Sequence, residues 1–367
     1  MVRATTLLCL LAFVTHAVAA QESRPEIVIG QKFTLHSEVL KEDRPYWVYL
    51  PRSYSDSQFG KTRYPVLYLL DGNAYFHMGT GVVQHLVEVD RIPDLIVVGI
   101  PNTVRTRDMT PTHMAEGPYS ARSGGAPQFL RFLKEELFPK VESKYRTLPH
   151  RTLVGHSLTG LFTLYALLES PEAFNAYVAL DPSVSWDDQV LLKRLDRFTT
   201  QGLKHPTSVF IARANSPDSW YGGDHAQRQL QESSIQNFAA KLSEKSSLLL
   251  RSELRLFEDD DHMSVPLPGM YRGLSYAFDV YPPAEGTYQI GPEALSSHFA
   301  KISARLGVTL LPPEGLVDFR AQQLIGTNPD QAIAFLKMNA SNYPDSSRAG
   351  ANLAKALERL SGEAPAP

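Results

Sequence analysis

A serine stands where an apolar segment runs into a helical pattern. Between Leu153 and Phe162 the sequence passes from a short apolar run through Gly155 to Ser157 and then into a predicted helix. This order is typical of a nucleophile elbow, a strained turn that lifts the serine hydroxyl clear of a sheet. The usual pattern has a second glycine two residues after the serine, and here Thr159 occupies that place. We predict that Ser157 is a nucleophile in a turn with one irregular position.

A histidine follows the last predicted strand of the chain. A serine hydroxyl is a poor nucleophile near neutral pH and needs a base within hydrogen-bond reach. The sequence has 11 histidines, and His262 is the one in the acidic segment that ends the last strand. In folds with a nucleophile elbow, the base lies on the loop after the final strand, in the chain order serine, acid, histidine. We therefore predict that His262 is the general base.

The acid that would orient this histidine is expected after the seventh predicted strand, which ends near Arg213. Asp218 is the first acidic residue beyond that point, and Asp224 is the next. Asn215 in the same stretch offers a neutral hydrogen bond instead. The sequence favours Asp218 and leaves the other two residues open, together with a site that has no acid.

Two backbone N–H groups are needed to stabilise the oxyanion of a tetrahedral intermediate. One comes from the residue after the nucleophile and the other from the loop after the third strand. Leu158 follows Ser157 directly, and Asn73 lies in an Asp-Gly-Asn turn after the third predicted strand. We predict that Leu158 and Asn73 donate these two hydrogen bonds.

Short apolar runs rich in β-branched and aromatic residues recur through the chain up to about residue 257. The first two alternate in polarity, as an antiparallel hairpin does, and the later ones are nearly continuous, as in buried parallel strands. Helical patterns separate them, for example at residues 129–141 and 158–168. The order predicts an α/β fold with a mostly parallel eight-stranded sheet flanked by helices. The eight predicted strands are residues 33–39, 46–50, 66–70, 95–100, 152–154, 177–180, 208–212 and 254–257.

The N-terminus has the pattern of a secretory signal at residues 1–20. Arg3 precedes an apolar run at residues 7–14, and the small residues 17–20 suit signal peptidase. The run is too short to span a bilayer comfortably. Cleavage would remove Cys9, the only cysteine, so the mature protein would hold neither a disulfide nor a thiolate metal site. We expect an exported protein, periplasmic or secreted, without stable membrane insertion.

The character of the sequence changes after the predicted enzyme domain, residues 21–283. Residues 284–367 predict a small all-α extension with helices at 292–306, 316–325, 329–340 and 346–360. The last two helices resemble a single tetratricopeptide-like hairpin, which cannot bury its own apolar face. The extension is therefore expected to cap the enzyme domain or to bind a protein partner, including a second copy.

The formal net charge of −3 and the pI near 6.4 give no sign of a nucleic-acid-binding surface. We predict neither a metal nor a cofactor, and a small-molecule ester as the partner. Five aromatic residues, Tyr75, Phe76, Trp186, Trp220 and Tyr221, are expected on loops around the site, where they would line a cleft or pack internally. Arg105, Arg107 and Arg122 lie in a long loop segment, where they would favour an anionic ester or stay solvated.

Four segments, taken in this order, resemble the putative-esterase family. That family includes siderophore esterases of the enterobactin type, S-formylglutathione hydrolases, feruloyl esterases and mycolyltransferases. The resemblance spans roughly residues 31–281, and some bacterial members have a similar helical extension. The segments are residues 64–73, 155–162, 179–187 and 261–266.

The resemblance implies an α/β-hydrolase fold with Ser157 as nucleophile, His262 as base and oxyanion donors at Asn73 and Leu158. The acid of the family is poorly matched at Asp218, and some siderophore esterases use a serine–histidine pair. We predict a serine carboxylic-ester hydrolase that forms an acyl-enzyme, with siderophore esters among the candidate substrates. Two alternatives stay open: an acyltransferase of the mycolyltransferase type, and a non-catalytic exported binding protein on the same fold.

Overall fold

The computed structural model describes residues 26–56, 60–282 and 291–361. Its centre is an eight-stranded sheet with the strand order β1-β2-β4-β3-β5-β6-β7-β8. The predicted signal peptide and the predicted domain boundary at residue 283 lie outside the described residues, so both stay predictions. Among the described residues, no helix is long and apolar enough to cross a membrane.

The sheet begins with an antiparallel hairpin. Strand β1 (Gln31–Ser37) pairs with β2 (Glu42–Tyr49), and β2 pairs antiparallel with β4 (Ile96–Ile100). Buried and more exposed residues alternate along β2, as expected for a strand with one face on the core. The predicted hairpin is confirmed.

The other strands are parallel and give the sheet its buried centre. They are β3 (Tyr64–Leu70), β4, β5 (Thr147–His156), β6 (Ala176–Leu180), β7 (Thr207–Ala214) and β8 (Leu250–Phe257). Every residue of β3, β4, β6 and β7 is buried, whereas the edge strand β8 is partly exposed. All eight predicted strands are present, and the α/β-hydrolase fold is confirmed.

Helices cover both faces of the sheet, and the sheet separates two apolar clusters. Helices α3 (Ala126–Phe132), α4 (Phe138–Lys144), α5 (Leu158–Glu169), α6 (Trp186–Leu195) and α7 (His225–Glu244) cover one face, after the short α2 (Arg105–Met109). A π-helical turn, Leu133–Leu137, joins α3 to α4. Helices α1 (Gly72–Glu88) and α8 (Pro266–Ala277) cover the other face.

Within the described part of the C-terminal region, residues 291–361, four helices lie close to the predicted bounds. They are α9 (Pro292–Leu306), α10 (Glu314–Leu324), α11 (Pro329–Asn342) and α12 (Ser347–Ser361). Phe299 and Phe335 are buried in the same apolar cluster as α1 and α8. Asn175, which precedes β6, donates a hydrogen bond to the carbonyl of Leu306 at 3.4 Å. The extension therefore packs on the sheet near the amino ends of the strands, and its tetratricopeptide-like character stays a prediction.

Candidate active site

Ser157 occupies a sharp turn between strand β5 and helix α5. Its backbone has φ 61° and ψ −118°, a strained conformation for a residue with a side chain. The turn is held because the Ser157 N–H donates to the carbonyl of Leu180 at 2.9 Å and the Ser157 carbonyl accepts from Leu161 N–H at 2.9 Å. A Cβ at Gly155 would lie 2.2 Å from the carbonyl oxygen of Thr159. Glycine two residues before the serine is therefore a steric requirement of this turn.

Thr159, at the irregular position of the turn, forms a buried polar link. Its hydroxyl accepts a hydrogen bond from His156 N–H at 2.7 Å and lies 2.8 Å from Asp71 Oδ2, to which it donates. The side chain is fully buried, so the two partners have no water to replace it. The threonine thus joins the serine turn to the loop after β3, which a glycine there could not do.

Asp71 is the centre of this link. Arg105 donates to its two carboxylate oxygens, at 2.8 Å from Nε and 3.0 Å from Nη2, and Asn102 Nδ2 donates at 2.5 Å. Burial alone would raise the pKa of Asp71, but the hydrogen bond and charge of Arg105, with the bonds from Asn102 and Thr159, hold that pKa below its usual value. A paired, buried carboxylate therefore anchors the turn in which Asn73 lies.

The three loop arginines have different surroundings. The guanidinium of Arg105 is engaged by Asp71, and that of Arg107 by Glu42 and Asp108. Arg122 is exposed. Arg105 and Arg107 are thus members of internal ion pairs rather than the solvated cations that the sequence also allowed.

Asn73 and Leu158, the two predicted oxyanion donors, each lie in the first turn of a helix, α1 and α5 respectively. The N–H groups of a first turn have no acceptor within their own helix, and the helix dipole places partial positive charge there. The side-chain Oδ1 of Asn73 accepts from Asn102 N–H at 3.2 Å. Both backbone N–H groups lie in positions suited to stabilising a developing negative charge.

His262 is held by contacts to its ring and to its main chain. Its Nδ1 lies 2.6 Å from Asp181 Oδ2, and its backbone N–H donates to Ser216 Oγ at 2.9 Å. The indole ring of Trp220 covers the imidazole, with 5.1 Å between ring centroids. This arrangement fixes the ring plane and places the proton of a neutral imidazole on Nδ1.

Asp181 follows directly on strand β6 and is 3% exposed. Its Oδ1 accepts from Ala214 N–H at 3.0 Å, and its own N–H donates to the carbonyl of Ala212 at 2.9 Å. The carboxylate is therefore fixed by strand β7 on one side and by His262 on the other. The carboxylate that contacts the histidine thus follows the sixth strand rather than the seventh.

The three residues that the sequence offered for this place have other contacts. Asp218 pairs with Arg228 Nε at 2.6 Å and with His225 Nδ1 at 3.1 Å. Asp224 caps helix α7 by accepting from Gln227 N–H, and Asn215 Nδ2 donates to the carbonyl of Glu258. The predicted contact between Asp218 and His262 is therefore wrong, and Asp181 makes that contact instead. Asp181 lies in one of the segments that resemble the family, and it follows β6, the buried strand next to β5, which ends at the Ser157 turn.

The hydroxyl of Ser157 lies 3.4 Å from Ser183 Oγ. The hydrogen bonds of the described residues include none between this hydroxyl and the His262 ring. Such contacts are often long until substrate binds. Ser157 and His262 thus both lie at the carboxyl edge of the sheet, after β5 and β8 respectively.

The aromatic residues expected around the site divide into two groups. Trp220 is 46% exposed beside His262, and Tyr75 donates its hydroxyl towards His156. Trp186 is buried, with its indole N–H on Thr112 Oγ1, and Phe76 is buried against Trp47. Only part of the predicted aromatic lining therefore faces the site.

Residues 26–56, 60–282 and 291–361 contain no group of three or more His, Cys, Asp or Glu side chains that could hold a metal ion. The arrangement around Ser157 instead offers a hydroxyl, an imidazole, a carboxylate and two helix-terminal N–H groups.

Comparison with known proteins gives three kinds of match. Residues 37–240 match the family described as Putative esterase. Ferri-bacillibactin esterase BesA of Bacillus subtilis is 30% identical over 260 residues, covering 64% of this chain and 86% of the relative. A siderophore triacetylfusarinine C esterase of Aspergillus fumigatus is 28% identical over 278 residues, covering 66% and 92%. The crystal structure of an IroE-like serine hydrolase from Shewanella oneidensis superposes with a TM-score of 0.70 at 30% identity, covering 85% of this chain and 99% of the other.

Proposed function

Because the chain belongs to the Putative esterase family and is an ester hydrolase, we propose that it cleaves carboxylic esters through an acyl-enzyme on Ser157. His262 is the general base, and Asp181 orients it. The backbone N–H groups of Leu158 and Asn73 stabilise the oxyanion. The observation that carries this proposal is the 2.6 Å contact between His262 Nδ1 and Asp181 Oδ2 beside the strained turn of Ser157.

The proposed reaction has two halves that use the same groups. In the first, Ser157 Oγ attacks the ester carbonyl while His262 Nε2 takes its proton, and the tetrahedral intermediate then expels the alcohol, which receives that proton. In the second, His262 activates a water that attacks the acyl-enzyme and releases the acid. Asp181 stays ionised and stabilises the imidazolium of His262 in both halves.

We further propose that the substrate is a siderophore ester. This rests on the relatives, two of which are named for ester cleavage in ferri-bacillibactin and in triacetylfusarinine C. The exposed face of Trp220 beside His262 suits an aromatic or extended acyl group because it offers a flat apolar surface at the reacting centre.

The reaction type is tested with an aryl acetate and a fluorophosphonate probe on three proteins: the wild type, Ser157→Ala and Ser183→Ala. Ser183→Ala is a matched control, since it removes a hydroxyl 3.4 Å from the nucleophile. We expect Ser157→Ala to lose activity by a factor on the order of 10⁴ or more and to lose labelling. The activity of Ser183→Ala should stay within about tenfold of the wild-type activity. Equal rates for the wild type and Ser157→Ala would contradict the proposal.

The substrate class is tested separately with a cyclic triester siderophore and its amide-linked analogue, with products identified by mass spectrometry. We expect stepwise release of hydroxy-acid units from the triester and no turnover of the amide. Turnover of aryl acetate without turnover of the triester would retain the serine mechanism and reject the siderophore. A product that carries an added alcohol acceptor would indicate acyl transfer.

A further inference from the structure

His156, the last residue of strand β5, uses each of its four polar groups on a different part of the site. Its backbone N–H donates to Thr159 Oγ1 on α5 at 2.7 Å, and its carbonyl accepts from Arg105 Nη2 at 3.1 Å. Its ring Nδ1 lies 2.9 Å from the Tyr75 hydroxyl, and its Nε2 lies 2.7 Å from the carbonyl oxygen of His262. One side chain and its peptide groups thus touch four segments that carry site residues.

The partners determine the protonation of the His156 ring. A carbonyl oxygen only accepts hydrogen bonds, so Nε2 carries the proton that is donated to His262. Nδ1 is then the acceptor for the Tyr75 hydroxyl. Burial, and next the charge of the neighbouring His262, lower the pKa of His156 to about 4, against the opposing effects of the hydrogen bond to the His262 carbonyl and of the charges of Asp181 and Asp71. The ring is therefore neutral near pH 7 and donates one hydrogen bond in a fixed direction.

The His262 loop receives two contacts from this ring. The Nε2–H of His156 donates to the carbonyl of His262, and the two imidazole rings are in contact, tilted by 42° with 4.4 Å between their centroids. Ser216 holds the neighbouring N–H of His262, and Asp181 holds Nδ1. The loop is thus tied to the strand that ends at the nucleophile as well as to β6.

We propose that His156 is a positioning residue that sets the distance between the His262 base and the Ser157 nucleophile. It acts through the main chain of His262 and exchanges no proton with the substrate, since both ring nitrogens are engaged. Tyr75 supports it by fixing the ring orientation. This proposal rests on the assignment of Ser157 and His262 proposed above.

A second histidine on the same strand provides the comparison. His150 is 2% exposed and packs on Phe278 at 5.3 Å between ring centroids. Its Nδ1 has no hydrogen-bond partner among the described residues. His150 lies towards the other end of β5 and contacts the core. Its replacement therefore shows how much activity is lost simply because a buried imidazole is removed from this strand.

The test compares His156→Phe, His156→Gln and His150→Phe by steady-state kinetics with an aryl ester. Phenylalanine keeps the flat ring and removes the donor, whereas the glutamine amide keeps a donor near the position of Nε2. We expect His156→Phe to lower kcat by roughly 10-fold to 100-fold with little change in KM, because a small displacement of the base is enough for such a loss. His156→Gln should recover most of that loss, and His150→Phe should keep the wild-type kcat.

Three results would overturn the proposal: a wild-type kcat in His156→Phe, an equal loss of kcat in His156→Phe and His150→Phe, or no recovery in His156→Gln. If the variants fold poorly, ¹⁵N NMR of the wild-type imidazoles shows which ring nitrogen of His156 carries the proton, independently of activity. We expect His156 to stay in the Nε2–H form from about pH 5 to 8, and an Nδ1–H form or a titration in that range would reject the arrangement. Loss of activity in Ser157→Ala is a separate result, so failure of the serine mechanism and failure of this proposal are distinguishable.

Discussion

Asp181 Oδ2 lies 2.6 Å from His262 Nδ1, although 81 positions separate the two residues in the chain. The contact is possible because both residues follow parallel strands of the same sheet, and strand β7, which lies between β6 and β8, holds the carboxylate with the N–H of Ala214. A carboxylate with two such partners has little freedom to turn away from the imidazole.

Replacement of Asp181 by Asn should therefore impair catalysis far more than replacement of Asp218. We expect Asp181→Asn to lower kcat/KM by a factor of about 10² to 10⁴, because the amide favours the wrong tautomer of His262 and cannot stabilise its cation. The kcat/KM of Asp218→Asn should stay within about threefold of the wild-type value, since Asp218 contacts Arg228 and His225 rather than His262. Ester hydrolysis by both variants, with thermal unfolding as a check of folding, measures the difference. An equal loss in the two variants would reject the role of Asp181.

Thr159 should contribute to stability through its hydroxyl. Thr159→Val keeps the shape but leaves the N–H of His156 without its side-chain acceptor and removes one of the two hydrogen bonds to Asp71 Oδ2, which keeps the one from Arg105. We expect the free energy of unfolding to fall by about 1–3 kcal/mol in Thr159→Val. Thr159→Ser, which keeps the hydroxyl, should lose less. Urea denaturation compares the free energies of unfolding of the two variants. A smaller loss of stability in Thr159→Val than in Thr159→Ser would contradict this explanation of the irregular turn.

Asp71 should make stability depend on pH in the acid range. Its pKa in the folded protein lies below the ordinary value of 3.8, so the folded state binds the proton more weakly than the unfolded chain does. The resulting stabilisation is present above about pH 4 and is lost as the pH falls through the folded pKa. Asp71→Asn should therefore be less stable than the wild type at about pH 6, and the difference should narrow below about pH 4. The urea midpoints of the wild type and Asp71→Asn, measured across this pH range, give the difference in stability. A difference that does not change with pH would contradict the ion-pair explanation.

The C-terminal helices should unfold together with the sheet because they share its apolar cluster. Phe335 is fully buried, and Phe319 is 59% exposed. We expect Phe335→Ala to cost about 3–5 kcal/mol in a single transition and Phe319→Ala less than about 0.5 kcal/mol. Calorimetry decides the number of transitions. Two separate transitions would indicate that the extension is an independent unit.

Much of the fold could be predicted because its signals are local. Continuous apolar runs indicated buried parallel strands, and β3, β4, β6 and β7 are buried along their whole length. The position of Ser157 between a strand and a helix was also a local pattern, since the turn needs glycine at position 155 for steric reasons. The roles of Ser157 and His262 stay predictions until the variants are measured.

By itself, the sequence determined the order and burial of the strands and the places of the serine and the histidine at strand ends, because apolar runs and turn residues act over a few neighbouring positions. Only the tertiary structure decided that Asp181 rather than Asp218 meets His262, and that Thr159, Asp71 and Arg105 form one buried network. Strand ends far apart in the chain meet only when the sheet has formed. Several acids follow strands in the sequence, and packing selects the one whose oxygen reaches the imidazole.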